Sequence, residues 1–151
     1  KSEVTLLEMT GAFNAIANRG LAHRPHAIRR ILDSSDCIDP MDINSCRVIY
    51  AYDRENPTVP QVISPVVTET LTSLLQGVVR WGTGQNASLG LGEAGKTGTT
   101  NSSVDLWFIG YIPADNLTTG VWLGNDDNSP TRGSSADAAR LWGNYMGKLL
   151  S

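Results

Sequence analysis

The 151-residue sequence predicts an α+β fold, in which an antiparallel sheet packs against helices. Three extended segments, 96–100, 104–112 and 117–125, follow one another with short polar connections, which is the pattern of a three-strand antiparallel meander. Other segments carry apolar residues at three- and four-residue spacing, as amphipathic helices do. These helical segments stand before and after the meander, so the two kinds of element are expected to form separate layers.

Two of the three predicted helices begin at a capping residue. Thr5 and Glu8 form a capping box, in which Thr5 accepts from an early amide and Glu8 reaches back to the cap. The helix that follows is expected to stop at Gly20. Residues 64–65 are Ser-Pro, with the serine as cap and the proline at the first helical position of a second helix. A third helix begins at Ser135.

Two further segments lie between the first two helices. Residues 27–32 and 47–52 are predicted to be short strands or extended segments. The residues between them are rich in Ser, Asp, Pro and Asn, so this region is the least regular part of the prediction.

Composition excludes several classes of function. The net charge is −3 and the pI is about 5.2, so the chain has no basic footprint for nucleic acid. The only two histidines have no acidic partner nearby in the sequence, and we therefore predict neither a metal site nor a cofactor. No apolar run is long enough to span a bilayer.

Residues 95–100 read Gly-Lys-Thr-Gly-Thr-Thr, a motif that two unrelated chemistries use. With Gly90 it satisfies the phosphate-loop pattern, and residues 90–95 also match the dinucleotide fingerprint Gly-x-Gly-x-x-Gly. Both nucleotide motifs need a strand before the loop and a helix after it. Residues 80–88 contain no apolar run and residues 98–103 are poor helix formers, so the flanks favour a strand. A phosphate-loop nucleotide-binding module (Gly90 to Thr97) stays as the alternative.

Lys-Thr-Gly is also a signature of the penicillin-recognising serine acyl-transferases. By itself it is a weak signal, but an ordered set of segments accompanies it. This set resembles the C-terminal part of a penicillin-binding protein transpeptidase domain, of the bifunctional class that also polymerises glycan strands. The resemblance covers essentially the whole chain and rests on residues 3–5, 17–20, 61–65, 82–84, 95–100, 105–111, 120–126 and 139–142.

The resemblance implies roles for four residues of the motif. Lys96 is expected to be catalytic, as a fixed ammonium beside the reacting centre. Thr97 and Thr99 are expected to bind the carboxylate of a D-alanyl terminus or of a β-lactam through their hydroxyls. The backbone N–H of Thr99 would be one of two oxyanion donors. Gly98, which has no side chain, would let a peptide stem pair with the strand edge.

The chain departs from the family pattern at the nucleophile. No serine is followed by lysine three positions on, the nearest case being Ser129 with Arg132, and no serine is followed by asparagine two positions on. The family carries both motifs upstream of the segment that begins near Lys1, and the chain opens without an initiator methionine. We therefore predict that residues 1–151 are the C-terminal portion of one transpeptidase domain, of β-lactamase/transpeptidase-like fold, incomplete and inactive alone. A non-catalytic module that binds stem peptides or partners is a further alternative, and carboxypeptidase and β-lactamase activities also stay open.

The resemblance also implies partners and a location. The partners would be peptidoglycan stem peptides, β-lactam antibiotics, and either the missing N-terminal part of the domain or a second copy of the chain. The location would be extracytoplasmic, with a membrane anchor upstream in the parent protein. Such a location favours a disulfide between Cys37 and Cys46, whose spacing permits a bridge across a turn, although two independent thiols are the alternative.

Overall fold

The computed structural model describes residues 3–151, so Lys1 and Ser2, with which the predicted domain portion begins, lie outside the described residues. The chain divides into two compact units. The first contains the residues before His23 together with Gln61–Ser151, and the second is His23–Pro60.

The described residues 3–151 contain four α-helices and five strands. The helices are α1 (Leu6–Ala17), α2 (Tyr52–Glu55), α3 (Pro65–Trp81) and α4 (Ser135–Leu149). The strands are β1 (Arg30–Cys37), β2 (Cys46–Ala51), β3 (Ala94–Thr99), β4 (Leu106–Ile112) and β5 (Leu117–Leu123). Within this part of the chain, no helix is long and apolar enough to cross a membrane.

The first unit is built on the sheet β3-β4-β5, which is the predicted antiparallel meander. Its register is continuous, with Lys96 opposite Ile109 and Phe108 opposite Val121. The predicted α+β fold class is confirmed. β3 begins two residues earlier than expected and β4 starts at Leu106 rather than 104, because a short 3-10 turn takes up residues 101–103.

Helices cover both faces of this sheet. On one face, Phe108 meets Trp142 of α4 edge to face, with ring centroids 5.4 Å apart, and Trp142 Nε1 donates to the carbonyl of Thr119 (3.0 Å). On the other face, Thr118 donates to the Asn14 side chain of α1 (3.2 Å). Because β4 is buried on both faces, it reads as a continuous apolar run instead of an alternating one.

The helix caps lie where the sequence places them, with one addition. Thr5 and Glu8 form the predicted capping box, and Ser64 accepts a hydrogen bond from the N–H of Val67. The third long helix is capped by Ser134, which forms a second capping box with Asp137. This box has the same three-residue spacing as the first but uses Asp in place of Glu.

The second unit is a hairpin of β1 and β2 closed by a disulfide between Cys37 and Cys46. The disulfide hypothesis is therefore confirmed over the alternative of two thiols. The first strand extends to Cys37, well beyond the predicted residue 32, because the bridge and the ion pairs of Arg47 with Asp33 (2.6 Å) and Asp36 (2.9 Å) hold this stretch beside β2.

Candidate active site

The loop that leads into β3 contains a buried carboxylate, that of Glu93. The Glu93 side chain is buried, and its carboxylate accepts from the backbone N–H groups of Leu89 (2.5 Å), Gly90 (3.2 Å) and Leu91 (2.8 Å). Burial by itself would raise the pKa of Glu93, but these backbone donors outweigh it and hold the pKa below its ordinary value. The amides that a phosphate loop would turn toward a nucleotide are thus already occupied by a carboxylate.

The structure after this loop also excludes the nucleotide-binding alternatives. Residues 94–99 form a strand, and the chain passes through a short turn into a second strand without forming an α-helix. A phosphate loop needs a helix N-terminus at this point. The phosphate-loop alternative over Gly90 to Thr97 is therefore wrong, as is the dinucleotide fingerprint over 90–95.

β3 is an edge strand with outward-facing backbone groups. Within residues 3–151 it pairs with β4 alone. The N–H of Thr100 donates to the carbonyl of Asp105 (3.1 Å), which makes these two a hydrogen-bonded pair at the end of the ladder. Because such pairs alternate with non-hydrogen-bonded pairs in antiparallel strands, the backbone N–H and carbonyl groups of Gly95, Thr97 and Thr99 point away from β4.

The Lys96 side chain is exposed and bends toward this free edge. Its Nζ donates to the carbonyl of Thr97 at 2.8 Å. An ammonium group has three donors, so this contact positions the charge and leaves two N–H groups for other acceptors. The catalytic candidate therefore lies beside the outward-facing backbone of its own strand.

The two threonines of the motif have different environments. Thr97 is only 7% exposed, and its hydroxyl lies 2.5 Å from the hydroxyl of Thr83. Thr99 is exposed. Thr83, which is exposed in the loop after α3, was not singled out from the sequence, although the Gly-Thr-Gly segment that contains it contributed to the resemblance.

Gly98 makes room for an indole of the neighbouring strand. A Cβ atom at this position would lie 3.2 Å from the Cβ of Trp107, its partner in the register. Trp107 in turn packs against Trp122 of β5, with ring centroids 6.4 Å apart. A side chain at this position would therefore require Trp107 to shift by a few tenths of an ångström. Among residues 3–151, no group of three or more His, Cys, Asp or Glu could hold a metal ion.

A free edge strand with Lys-Thr-Gly, on an antiparallel sheet between helices, is the arrangement expected of an acyl-transferase cleft wall. Residues 2–147 match the family described as the penicillin binding protein transpeptidase domain, and the chain belongs to this family. The predicted resemblance is confirmed.

Several relatives illustrate the match. The chain is 32% identical over 148 residues to penicillin-binding protein 1A of Aquifex aeolicus, an alignment that covers 95% of the chain and 18% of the relative. It is similar to the crystal structure of penicillin-binding protein 1A from Haemophilus influenzae, with TM-score 0.70 and 26% identity over 98% of the chain and 26% of that structure. The D,D-transpeptidase domain of a peptidoglycan glycosyltransferase from Eggerthella lenta gives TM-score 0.66 and 27% identity, over 98% of the chain and 33% of that domain. The chain spans less than a fifth of the length of the curated relatives that it matches.

Proposed function

We propose that residues 1–151 form the C-terminal portion of a D-alanyl-D-alanine transpeptidase domain and supply one wall of its acyl-transfer cleft. The observation that carries this proposal is the free edge of β3, where the N–H of Thr99 points outward next to the exposed Lys96 side chain. The substrates would be peptidoglycan stem peptides, and β-lactams would occupy the same cleft.

The outward N–H of Thr99 serves as an oxyanion donor in this proposal. An acyl-transfer reaction places negative charge on the former carbonyl oxygen, and a fixed backbone donor stabilises that charge without reorganising. The ladder to β4 fixes this N–H, since Thr99 is opposite Leu106 in the register. Thr97 and Thr99 also have outward backbone groups that could pair with a stem peptide, which would lie along the edge as an added strand.

The hydroxyl groups provide a site for the substrate's carboxylate. The exposed Thr99 hydroxyl would donate directly. In the pair Thr83–Thr97, one hydroxyl donates to the other, so the pair retains one further proton for an acceptor. Thr83 is exposed and Thr97 is not, and the pair would therefore present Thr83 to the carboxylate and keep Thr97 as its support.

Lys96 supplies the positive charge and a route for protons. Its contact with the Thr97 carbonyl holds the ammonium at the cleft wall, and its other donors would reach the nucleophile and anionic substrate groups. The nucleophilic serine with its activating lysine, and the Ser-x-Asn motif, are not among the 151 residues. They would come from the preceding part of the same domain.

Exposed apolar side chains in the first unit support the proposal that the domain is incomplete. Leu7 of α1 is 63% exposed, and Val66 and Leu74 of α3 are 72% and 65% exposed. The missing N-terminal part of the domain, or a second copy of the chain, would cover them. The disulfide supports an extracytoplasmic location, where such bridges persist, with the membrane anchor upstream.

Covalent labelling with a penicillin, followed by intact-mass analysis, tests the proposal. The full-length protein that contains this chain is expected to gain one penicilloyl group, whereas the 151-residue chain alone is expected to gain none. In the full-length protein, Lys96→Ala should slow acylation by about 10²-fold or more, because it removes the positioned proton carrier. Lys148→Ala, at an exposed position in α4, is the matched control and should label normally. An unlabelled full-length protein, or a stoichiometric adduct on the chain alone, would contradict the proposal.

A further inference from the structure

Hydrogen bonds of Asp105 hold the turn between β3 and β4 to the end of β3. Its carboxylate accepts from the hydroxyl of Thr100 (2.9 Å) and from Nε1 of Trp122 (2.9 Å). Its backbone N–H donates to the same Thr100 hydroxyl (2.8 Å), and its carbonyl accepts from the Thr100 N–H (3.1 Å). One residue thus makes three hydrogen bonds to Thr100 and one to β5.

From these contacts we propose that Asp105 is a positioning residue for acyl transfer, holding the end of β3 so that the Thr99 N–H keeps its orientation. This inference rests on the proposed function, because it concerns the oxyanion donor that the proposed function requires. Asp105 does not touch the substrate in this account, since it acts through Thr100, the neighbour of Thr99.

The hydrogen bonds between Asp105 and Thr100 act as a clamp on the end of β3. This clamp is needed because the turn beyond β3 is strained. Ser102 and Ser103 both adopt left-handed backbone conformations, with φ of 61° and 55°. For residues with a Cβ, this conformation is unfavourable, because the Cβ lies too close to the following carbonyl oxygen. The turn therefore persists only where its surroundings hold it, and Thr131 contributes by bonding the carbonyls of Ser103 (2.9 Å) and Val104 (2.6 Å).

The contact with Trp122 makes the clamp rigid. Trp122 lies on β5, the strand farthest from β3, so the Asp105 carboxylate links both edges of the sheet through its middle strand. The carboxylate is consequently fixed by regular structure instead of by the strained turn alone. Loss of this link would free Thr100 and let the last residues of β3 fray.

The effect of losing the clamp should appear in the chemical step. A misplacement of about 1 Å in a positioned group can cost about 10²-fold in rate. An oxyanion donor acts mainly in the transition state, so we expect Asp105→Ala to lower the acylation rate constant by about 10–100-fold. The noncovalent dissociation constant for the penicillin should change much less, by about threefold or less.

The experiment measures both constants by stopped-flow labelling of the full-length protein with a fluorescent penicillin. Asp105→Asn is the rescue variant: its amide oxygen can accept from Trp122 Nε1 and its NH₂ can donate to the Thr100 hydroxyl, so acylation should stay within about threefold of wild type. Asp115→Ala, in the exposed turn at the other end of β4, is the matched control and should acylate normally. Thr100→Val removes the other half of the clamp, so its effect and that of Asp105→Ala should be non-additive in the double variant.

The outcomes separate this inference from the proposed function. A wild-type protein that takes up no penicillin overturns both. If wild type labels and Asp105→Ala acylates within twofold of it, the clamp is refuted and the proposed function stands. Equal losses in Asp105→Ala and Asp105→Asn would also refute it. Hydrogen exchange gives a readout without penicillin: the Thr100 amide should exchange at least about tenfold faster in Asp105→Ala than in Asp115→Ala, and equal rates would overturn the inference.

Discussion

The buried carboxylate of Glu93 allows a quantitative prediction about stability. Three backbone N–H groups, from Leu89, Gly90 and Leu91, converge on it within 2.5–3.2 Å. Replacing Glu93 by alanine removes the acceptor for all three and leaves a cavity in front of β3. The perturbation is therefore local, and it does not touch the proposed catalytic groups.

The expected loss in the free energy of unfolding follows from what each of these hydrogen bonds contributes to stability. A hydrogen bond to a charged group contributes about 1.5–3 kcal/mol. Gly90 and Leu91 lie in an exposed loop and can be rehydrated, so we expect a total loss of about 3 kcal/mol instead of the sum of three such bonds. Glu93→Gln retains the oxygen that serves Leu89 and Gly90 and should lose about half as much. For a domain of 150–250 residues, 3 kcal/mol corresponds to roughly 6–12 °C in Tm, and the shift is smaller in the complete transpeptidase domain, of which these residues are proposed to be one portion.

Thermal unfolding of the transpeptidase domain in the full-length protein, followed over a pH series, provides the assay. Glu69→Ala is the control, because Glu69 forms an exposed ion pair with Arg19 that should be worth less than about 1 kcal/mol. The pKa of Glu93 lies below the ordinary 4.5 in the folded protein, since its backbone donors outweigh the opposing effect of burial. Its contribution is thus complete above pH 4.5 and is lost as the pH falls through the folded pKa.

The stability difference between wild type and Glu93→Gln should accordingly be constant near neutral pH and shrink as the pH falls below 4.5. Two results would refute the reasoning. One is a Glu93→Ala variant as stable as Glu69→Ala. The other is a wild-type advantage that grows under acid conditions.

Two further predictions concern the core of the first unit and the hairpin of the second. Trp142→Phe should destabilise the folded protein by about 2–3 kcal/mol and lower Tm accordingly, because it removes part of a buried side chain and leaves the Thr119 carbonyl without its donor. Trp81→Phe, at a side chain that is 77% exposed, should leave Tm nearly unchanged, and equal shifts would contradict the burial argument. Reducing the Cys37–Cys46 bridge in the full-length protein should destabilise the hairpin by about 2–3 kcal/mol, measured as faster proteolysis within residues 38–45, while penicillin labelling of that protein stays normal. Unchanged cleavage would show that the bridge adds no constraint there.

Local signals explain why much of the fold could be predicted. The caps at Thr5 and Ser64 depend on hydrogen bonds to residues three positions later, and this spacing is visible in the sequence. The meander depends on short polar turns between apolar strands, and the chain forms it in the predicted order. The residues alone do not decide the disulfide, since two cysteines with a permissive spacing do not by themselves establish that their Cβ atoms approach.

Other features of the candidate site had no local signal. The contact between Thr97 and Thr83 joins β3 to the loop after α3 across 14 residues, and the sequence does not indicate on which side of the strand Thr97 lies. The link between Asp105 and Trp122 depends on the register of β4 and β5. A shift of one residue would move either side chain to the opposite face of the sheet.

The amino-acid sequence by itself determined the order of helices and strands and the identity of the motif at 95–100, because these depend on the spacing and type of neighbouring residues. Only the tertiary structure decided which of the motif's groups are free to act. Strand pairing leaves the Thr99 N–H outward and brings Asp105 to the end of β3, whereas packing buries Thr97. The physical reason is that hydrogen-bond alternation and side-chain burial are properties of paired strands and packed layers, and residues far apart in the chain set both of them.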